Sequence, residues 1–200
     1  VLWNPVPSSG SWRDAVELTG QDQAEAAAAT TIHAYPAGRE PYVRLRLDGW
    51  LHRAAALERR DFPDGRTVFR LGLWPPRQSH GPLRVGWFWG DEAAMVFTAL
   101  DPHPVEQTVQ PGDAVRVSHP LHGDAGVTDA IALPYGPHGP APVRVRLAGQ
   151  WHQAHAERRI RFLPDGHEAV RIHVRLLTDG WPMWYPRTYW DSPAITAVPQ

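Results

Sequence analysis

The chain contains no cysteine and no lysine. Without Cys there is no disulfide, no thiol nucleophile and no thiolate metal site, although a secreted protein can lack Cys as readily as a cytosolic one. Without Lys, all twenty basic side chains are arginine. Coding bias in a GC-rich genome explains this most simply, and selection for the bidentate anion contacts of guanidinium is the alternative. No apolar run reaches the roughly 18 residues that cross a bilayer, so no membrane span is expected. Nor does the chain hold G-x-S-x-G, H-E-x-x-H, a P-loop or G-x-G-x-x-G, and its acids are too dispersed to place a carboxylate pair. No enzymatic activity and no cofactor are therefore expected, a site in a cleft between units being the remaining catalytic alternative. The opening VLWNPVPSSG has neither Met nor a signal-peptide pattern. The numbering is thus expected to begin inside a longer or processed chain, with the compartment open and the cytoplasm favoured.

Tryptophan is the residue in excess, with ten in 200 positions. Large rings bury much area each, so a modest core can be built from few of them. Pro and Gly are frequent (21 and 17) but scattered between apolar runs, the pattern of many turns joining short strands. The net charge of −1 divides evenly, with eleven Arg against eleven acids in residues 1–98 and nine against ten in 99–200. Neither half is a basic nucleic-acid arm or an acidic tail.

The chain also writes one long stretch twice. Val43, Arg44, Arg46, Leu47, Gly49, His52, Ala54 and Ala56 recur one hundred residues later, and Pro63-Asp64-Gly65 and Arg70 recur one residue later still, as Pro164-Asp165-Gly166 and Arg171. A repeat of this length marks a duplicated unit. The expected fold is all-β: two tandem, internally duplicated small β-barrel or sandwich units of about 100 residues, 1–100 and 101–200, made of antiparallel meanders with little helix.

Within each unit the period-2 alternation of Val43, Leu45 and Leu47 with Arg44 and Arg46 predicts a half-buried strand. Phe69–Leu73 and Val170–Val174 read the same way, and Phe-Pro-Asp-Gly predicts the turn between strands two and three. The extra residue in the second unit is expected as a β-bulge in its middle strand. Asp14–Leu18, Asp113–Val117, Thr30–Tyr35, Thr128–Leu133, 83–89, 185–190, 94–100 and 194–198 are expected as further strands. Gln21–Ala29 is expected to make one or two helical turns.

Three groups of residues are candidates for function. The first is an Arg face, Arg44, Arg46 and Arg70 in one unit and Arg144, Arg146, Arg171, His173 and Arg175 in the other, lying opposite the apolar side chains. Such a face could bind a polyanion or, with stacking rings, a glycan, or it could be a solvated outer surface whose Arg stems cover apolar area. The second is the aromatic run Trp181, Trp184, Tyr185 and Tyr189 beside Arg187, the material of a protein-interface hot spot or a sugar platform. Trp89 and Trp190, at equivalent positions, are expected in the core. The third is histidine: His119, His122 and Asp124, and His152 with His155, match no zinc spacing, so no metal is expected. His52 and His152 are expected as hydrogen-bonded structural residues. The resulting expectation is a non-catalytic module that binds a protein partner or itself through the aromatic-rich surface, with polyanion or glycan recognition as the alternative.

Overall fold

The structure, a computed structural model, describes residues 12–20, 22, 31–74, 84–117, 130–136, 140–162 and 166–199. Of the expected helical turns at Gln21–Ala29 only Asp22 is among the described residues, and the His119–Asp124 group lies outside them. The chain is all-β and divides into two compact units, one of residues Val6–Leu100 and one taking in Asp101–Gln200. Among the described residues no helix is long and apolar enough to cross a membrane.

The N-terminal unit carries β1 (Thr31–Ala34), β2 (Tyr42–Leu47), β3 (Trp50–Asp61), β4 (Thr67–Leu73), β5 (Arg84–Trp89) and β6 (Met95–Thr98). They pair antiparallel in the order β6-β2-β3-β4-β5, with β1 also on β3. The C-terminal unit carries β7 (Ala130–Pro134), β8 (Ala141–Leu147), β9 (Gln150–Phe162), β10 (Glu168–Thr178), β11 (Trp181–Trp190) and β12 (Ile195–Ala197). Its order is β12-β8-β9-β10-β11, with β7 also on β9.

The middle strands explain these orders. One edge of β3 pairs with β2 over Trp50–Ala55 and then with β1 over Glu58–Asp61. Leu57 at the junction is a bulge, skipped in the ladder to β4, and its carbonyl accepts the Tyr35 N–H at 3.1 Å. Strand β9 does the same with β8 and β7, the bulge being Glu157 and its carbonyl accepting the Tyr135 N–H. Bulges bend a strand and re-aim side chains, so each long strand serves two partners in succession. The expectation that the second unit's extra residue is a bulge needs correction, because both units have the bulge at the same offset. The extra residue lies in the next hairpin loop instead. That loop is closed by Phe62 N–H to Arg66 O in one unit and by Phe162 N–H to His167 O, one residue longer, in the other.

A second correction concerns Asp14–Leu18 and Asp113–Val117, which are not strands but make single bridges, Glu17 to Phe88 and Arg116 to Tyr189. Each segment is held to the strand beside it by two hydrogen bonds: Leu18 N–H to Trp87 O and Trp89 N–H to Val16 O, then Val117 N–H to Thr188 O and Trp190 N–H to Val115 O.

The inward faces make the core. Val43, Leu45, Ala54, Ala56, Phe69, Leu71, Phe88 and Phe97 are buried in the first unit, with the Phe69 and Phe97 rings 4.4 Å apart. Val143, Val145, Ala154, Ala156, Val170, Ile172, Val174 and Met183 are buried in the second. Each large side chain taken from water contributes roughly 1.5–3 kcal/mol. Trp89 and Trp190 are only half-buried, and each packs on the Phe at its hairpin loop, Phe62 at 5.8 Å and Phe162 at 5.4 Å.

Two-residue turns join the strands where both central residues are left-handed. They are Asp48-Gly49 (φ 49° and 79°), Ala148-Gly149 (49° and 75°) and Asp179-Gly180 (51° and 78°). Asp tolerates that region through its short polar side chain, whereas Ala bears the full cost of its Cβ. Ala148→Asn is therefore expected to stabilise the protein by about 0.5–1 kcal/mol. An unchanged or lower urea midpoint would refute this account of the turn.

Candidate functional site

Strand register places Arg44, Arg46 and Arg70 on one face of the N-terminal sheet, the face opposite the core. Arg44 lies across from Arg53 and Arg46 from Leu51, while Arg70 lies across from Glu58 and Trp87. The same reasoning puts Arg144, Arg146, Arg171, His173 and Arg175 on the outer face of the C-terminal sheet. Two of these arginines have structural work at the hairpin tips. Arg46 pairs with Asp14 at 3.2 Å and donates to Trp12 O, while Asp14 accepts the Gly49 N–H. Arg146 lies 3.8 Å from Asp113, whose buried carboxylate accepts the Gly149 and Gln110 N–H groups. Arg171 pairs with Glu157 at 3.2 Å. Burial and the facing Arg53 charge hold the Arg44 guanidinium below its ordinary pKa.

Outside these clamps the two outer faces differ in chemistry. In the N-terminal unit one row runs Tyr42, Ala55, Gly72, Val85 across four strands. Tyr42 stacks on Trp74 at 6.2 Å, and both rings are exposed, at 53% and 41%. Leu51 and Val85, on the same face, are exposed as well. At the matching row of the C-terminal unit stand Pro142, His155, His173 and Pro186. The Trp184 ring lies 5.1 Å from His155, and the buried His173 lies 3.5 Å from Glu157. Burial pushes the Glu157 carboxyl up, but hydrogen bonds from His173 and Arg158 and the charges of Arg158 and Arg171 outweigh it, leaving it at about 2. Burial and the neighbouring His173 keep His155 below its ordinary value, and burial does the same for His152, whose Nε2 lies 3.4 Å from Leu147 O.

The expected aromatic platform at 181–191 is only partly at the surface. Trp181 and Trp184 are half-buried, whereas Tyr185, Arg187 and Tyr189 are buried on the core face. The reason is register: Tyr185, Arg187 and Tyr189 lie across from Val174, Ile172 and Val170, all core residues. These three side chains are thereby removed from any docking surface.

Arg187 is buried at no large cost because a residue distant in sequence meets it. A 3-10 turn, Pro104–Gln107, begins at His103, whose Nδ1 accepts the Val105 N–H while Glu106 reaches back to the His103 N–H. The Glu106 carboxylate takes a fork of two bonds from Arg187, at 2.7 Å and 2.9 Å, and a third from the Tyr189 hydroxyl at 3.1 Å. Arg187 also donates to the carbonyls of Asp101 and Pro186. Burial alone would push Glu106 up, yet the Arg187 hydrogen bonds and charge and the His103 N–H bring it below the usual carboxylate value. Burial pushes the Tyr189 phenol up. Glu106 was missed from sequence, although the pattern His-Pro-Val-Glu, with Pro at the first helical position and Glu two later, carries the capping-box signal. Among the described residues no group of three His, Asp or Glu side chains could hold a metal ion.

Removing one member of the Glu106–Arg187 pair strands a buried charge. Glu106→Gln is expected to cost about 3–5 kcal/mol in denaturant unfolding. Glu106→Leu combined with Arg187→Met should recover at least about 1 kcal/mol of the summed single losses; strict additivity would show that the pair is not coupled. A pH dependence follows from the lowered groups. His152 and His155 bind protons more readily unfolded than folded, so stability is expected to fall as pH drops below about 6.5, and Glu157 extends the fall from 4.5 toward about 2. Glu157→Gln should flatten the acid part and His155→Gln the part nearer neutrality, measured as urea midpoints against pH. A wild-type midpoint that rises on acidification would overturn the assignment.

The chain matches no family model, and comparison with curated proteins and with solved structures also returns no match.

Proposed function

We propose that this chain is a non-catalytic protein-binding module that docks its partner on the outer sheet face of the N-terminal unit. In this reading the two units are small barrels or sandwiches descended from one duplicated ancestor. Support for duplication comes from the shared strand order, the bulges at Leu57 and Glu157, and the paired Asp14–Arg46 and Asp113–Arg146 clamps. One observation carries the functional reading: the exposed, stacked Tyr42 and Trp74 rings stand on one face with Leu51 and Val85. Aromatic side chains gathered on an otherwise regular surface are the material of interface hot spots. In the C-terminal unit the same face carries ion pairs satisfied within the unit, which favours the N-terminal face for a partner. The polyanion and glycan alternatives lose support where Arg46, Arg146 and Arg171 are already engaged by carboxylates.

The test is selection from a random peptide library displayed on phage, with the double variant Tyr42→Ser, Trp74→Ser as counter-screen. Both rings are exposed, so the variant should keep its unfolding free energy in urea within about 0.5 kcal/mol of wild type. Selected peptides are expected to bind wild type and to lose at least tenfold in affinity on the variant. Peptides that bind both proteins equally would overturn the proposed location.

A further inference from the structure

We infer that Asp179 is a site of covalent self-modification, converting to an isoaspartyl residue by ring closure onto the Gly180 nitrogen, while the other Asp-Gly pairs of the chain are held back from the same reaction. This chemistry is separate from the protein-binding reading and does not depend on it.

The sequence holds four Asp-Gly pairs: Asp48-Gly49, Asp64-Gly65, Asp165-Gly166 and Asp179-Gly180. Glycine has no Cβ to screen its backbone nitrogen, so that nitrogen can approach the preceding carboxyl. It bonds to the Asp Cγ, and the N–H proton leaves with the carboxyl hydroxyl as water, closing a succinimide. Water then opens the ring. Addition at Cγ restores aspartate, whereas addition at the main-chain carbonyl leaves the backbone running through Cβ and Cγ. One water leaves and one enters, so no other reactant is needed.

Two of the four pairs form a controlled comparison. Asp48-Gly49 and Asp179-Gly180 are both exposed, both precede a tryptophan and share one backbone shape, with φ of 49° and 79° in the first and 51° and 78° in the second. They differ at the glycine N–H. The Gly49 N–H donates to the Asp14 carboxylate at 3.1 Å, and Asp14 is itself held by Arg46 at 3.2 Å. To attack, the Gly49 nitrogen must break this charge-assisted bond and develop negative charge beside a carboxylate, which opposes it. The Gly65 and Gly166 N–H groups donate to the carbonyls of Phe62 at 3.0 Å and Phe162 at 2.9 Å. Among the described residues the Gly180 N–H alone of the four meets no acceptor. Asp179 is exposed, and contacts of an exposed carboxylate are worth little. Conversion adds one backbone atom between Thr178 and Trp181, the pair that closes the β10–β11 hairpin.

The experiment ages the folded protein near neutral pH in water enriched in heavy oxygen and maps isoaspartyl peptides by mass spectrometry, each ring opening adding one labelled oxygen. Asp179 is expected to convert at least about fivefold faster than Asp48, Asp64 or Asp165, the factor expected for one retained hydrogen bond. Asp14→Ala frees the Gly49 N–H and should raise the rate at Asp48 at least about fivefold while leaving Asp179 unchanged. Asp14 is exposed, so the variant is expected to fold, with its urea midpoint as the check. In concentrated urea the four rates should converge. Equal rates at Asp48 and Asp179 in the folded protein would overturn the inference, as would an unlabelled Asp179 in a protein whose unfolded chain does label. A ranking that persists in urea would place its cause in the neighbouring sequence and overturn the role of the fold. An Asp48 rate that ignores Asp14→Ala would overturn the protection assigned to that bond.

Discussion

Each unit is governed by how one overlong strand satisfies its edge. A straight strand of twelve or thirteen residues would present more backbone donors and acceptors than one short neighbour can take, and unpaired groups are costly when buried. The bulge at Leu57 or Glu157 divides the strand into two segments, and each segment receives its own partner along the same edge. It also turns the bulged side chain out of the regular alternation. Leu57 brings no charge at that point, whereas Glu157 brings a carboxylate around which Arg158, Arg171 and His173 gather. The bulge residue is thus one of the positions at which the surface chemistry of the two units differs.

The rows beside the bulge diverge in the same sense. Ala55 and Gly72 stand where the C-terminal unit has His155 and His173, and Trp184 packs on His155. Inside, the direction is the same: where the N-terminal unit has Leu71, Gly86 and Phe88 in register, the C-terminal unit has Ile172, Arg187 and Tyr189. Gly86 has no room for a larger side chain, because a Cβ there would meet Glu17 at 2.6 Å and Phe88 at 2.9 Å. The C-terminal unit opened that space to a guanidinium only by supplying Glu106 to meet it. The two units therefore place apolar side chains in one case and polar ones in the other at matching register positions.

The all-β architecture was legible because alternation is local. Val43–Leu47 and Val143–Leu147 declare their inward faces within five residues, and the glycine-containing turns declare the hairpins. The bulge was misplaced because only the change in offset between repeats signals the extra residue, and offset cannot tell a strand from the loop that follows it. The hydrogen bonds closing the two loops decide the matter. The run WPMWYPRTYW was misread for another reason. Large apolar residues occupy both parities of the strand, so a period of two selects neither face. What selects the face is pairing with Val170, Ile172 and Val174, together with an acid eighty-one residues away that makes a buried arginine tolerable.

That buried pair is better understood as a positioning device than as a source of stability. Desolvating two charges costs about as much as their attraction returns, so well-packed apolar side chains would serve stability equally well, as Phe88 does in the other unit. The fork from Arg187 to Glu106 has geometric requirements that apolar contacts lack. It admits only the backbone path in which the turn at Pro104–Gln107 lies against β11, with the Asp101 carbonyl and the His103 ring, which packs on Tyr185 at 5.4 Å, fixed as well. A segment of short, proline-rich sequence has little apolar area with which to choose its own seat. The ion pair supplies that choice, and the cost of breaking it from one side follows from the charge left behind rather than from any large net gain when it forms.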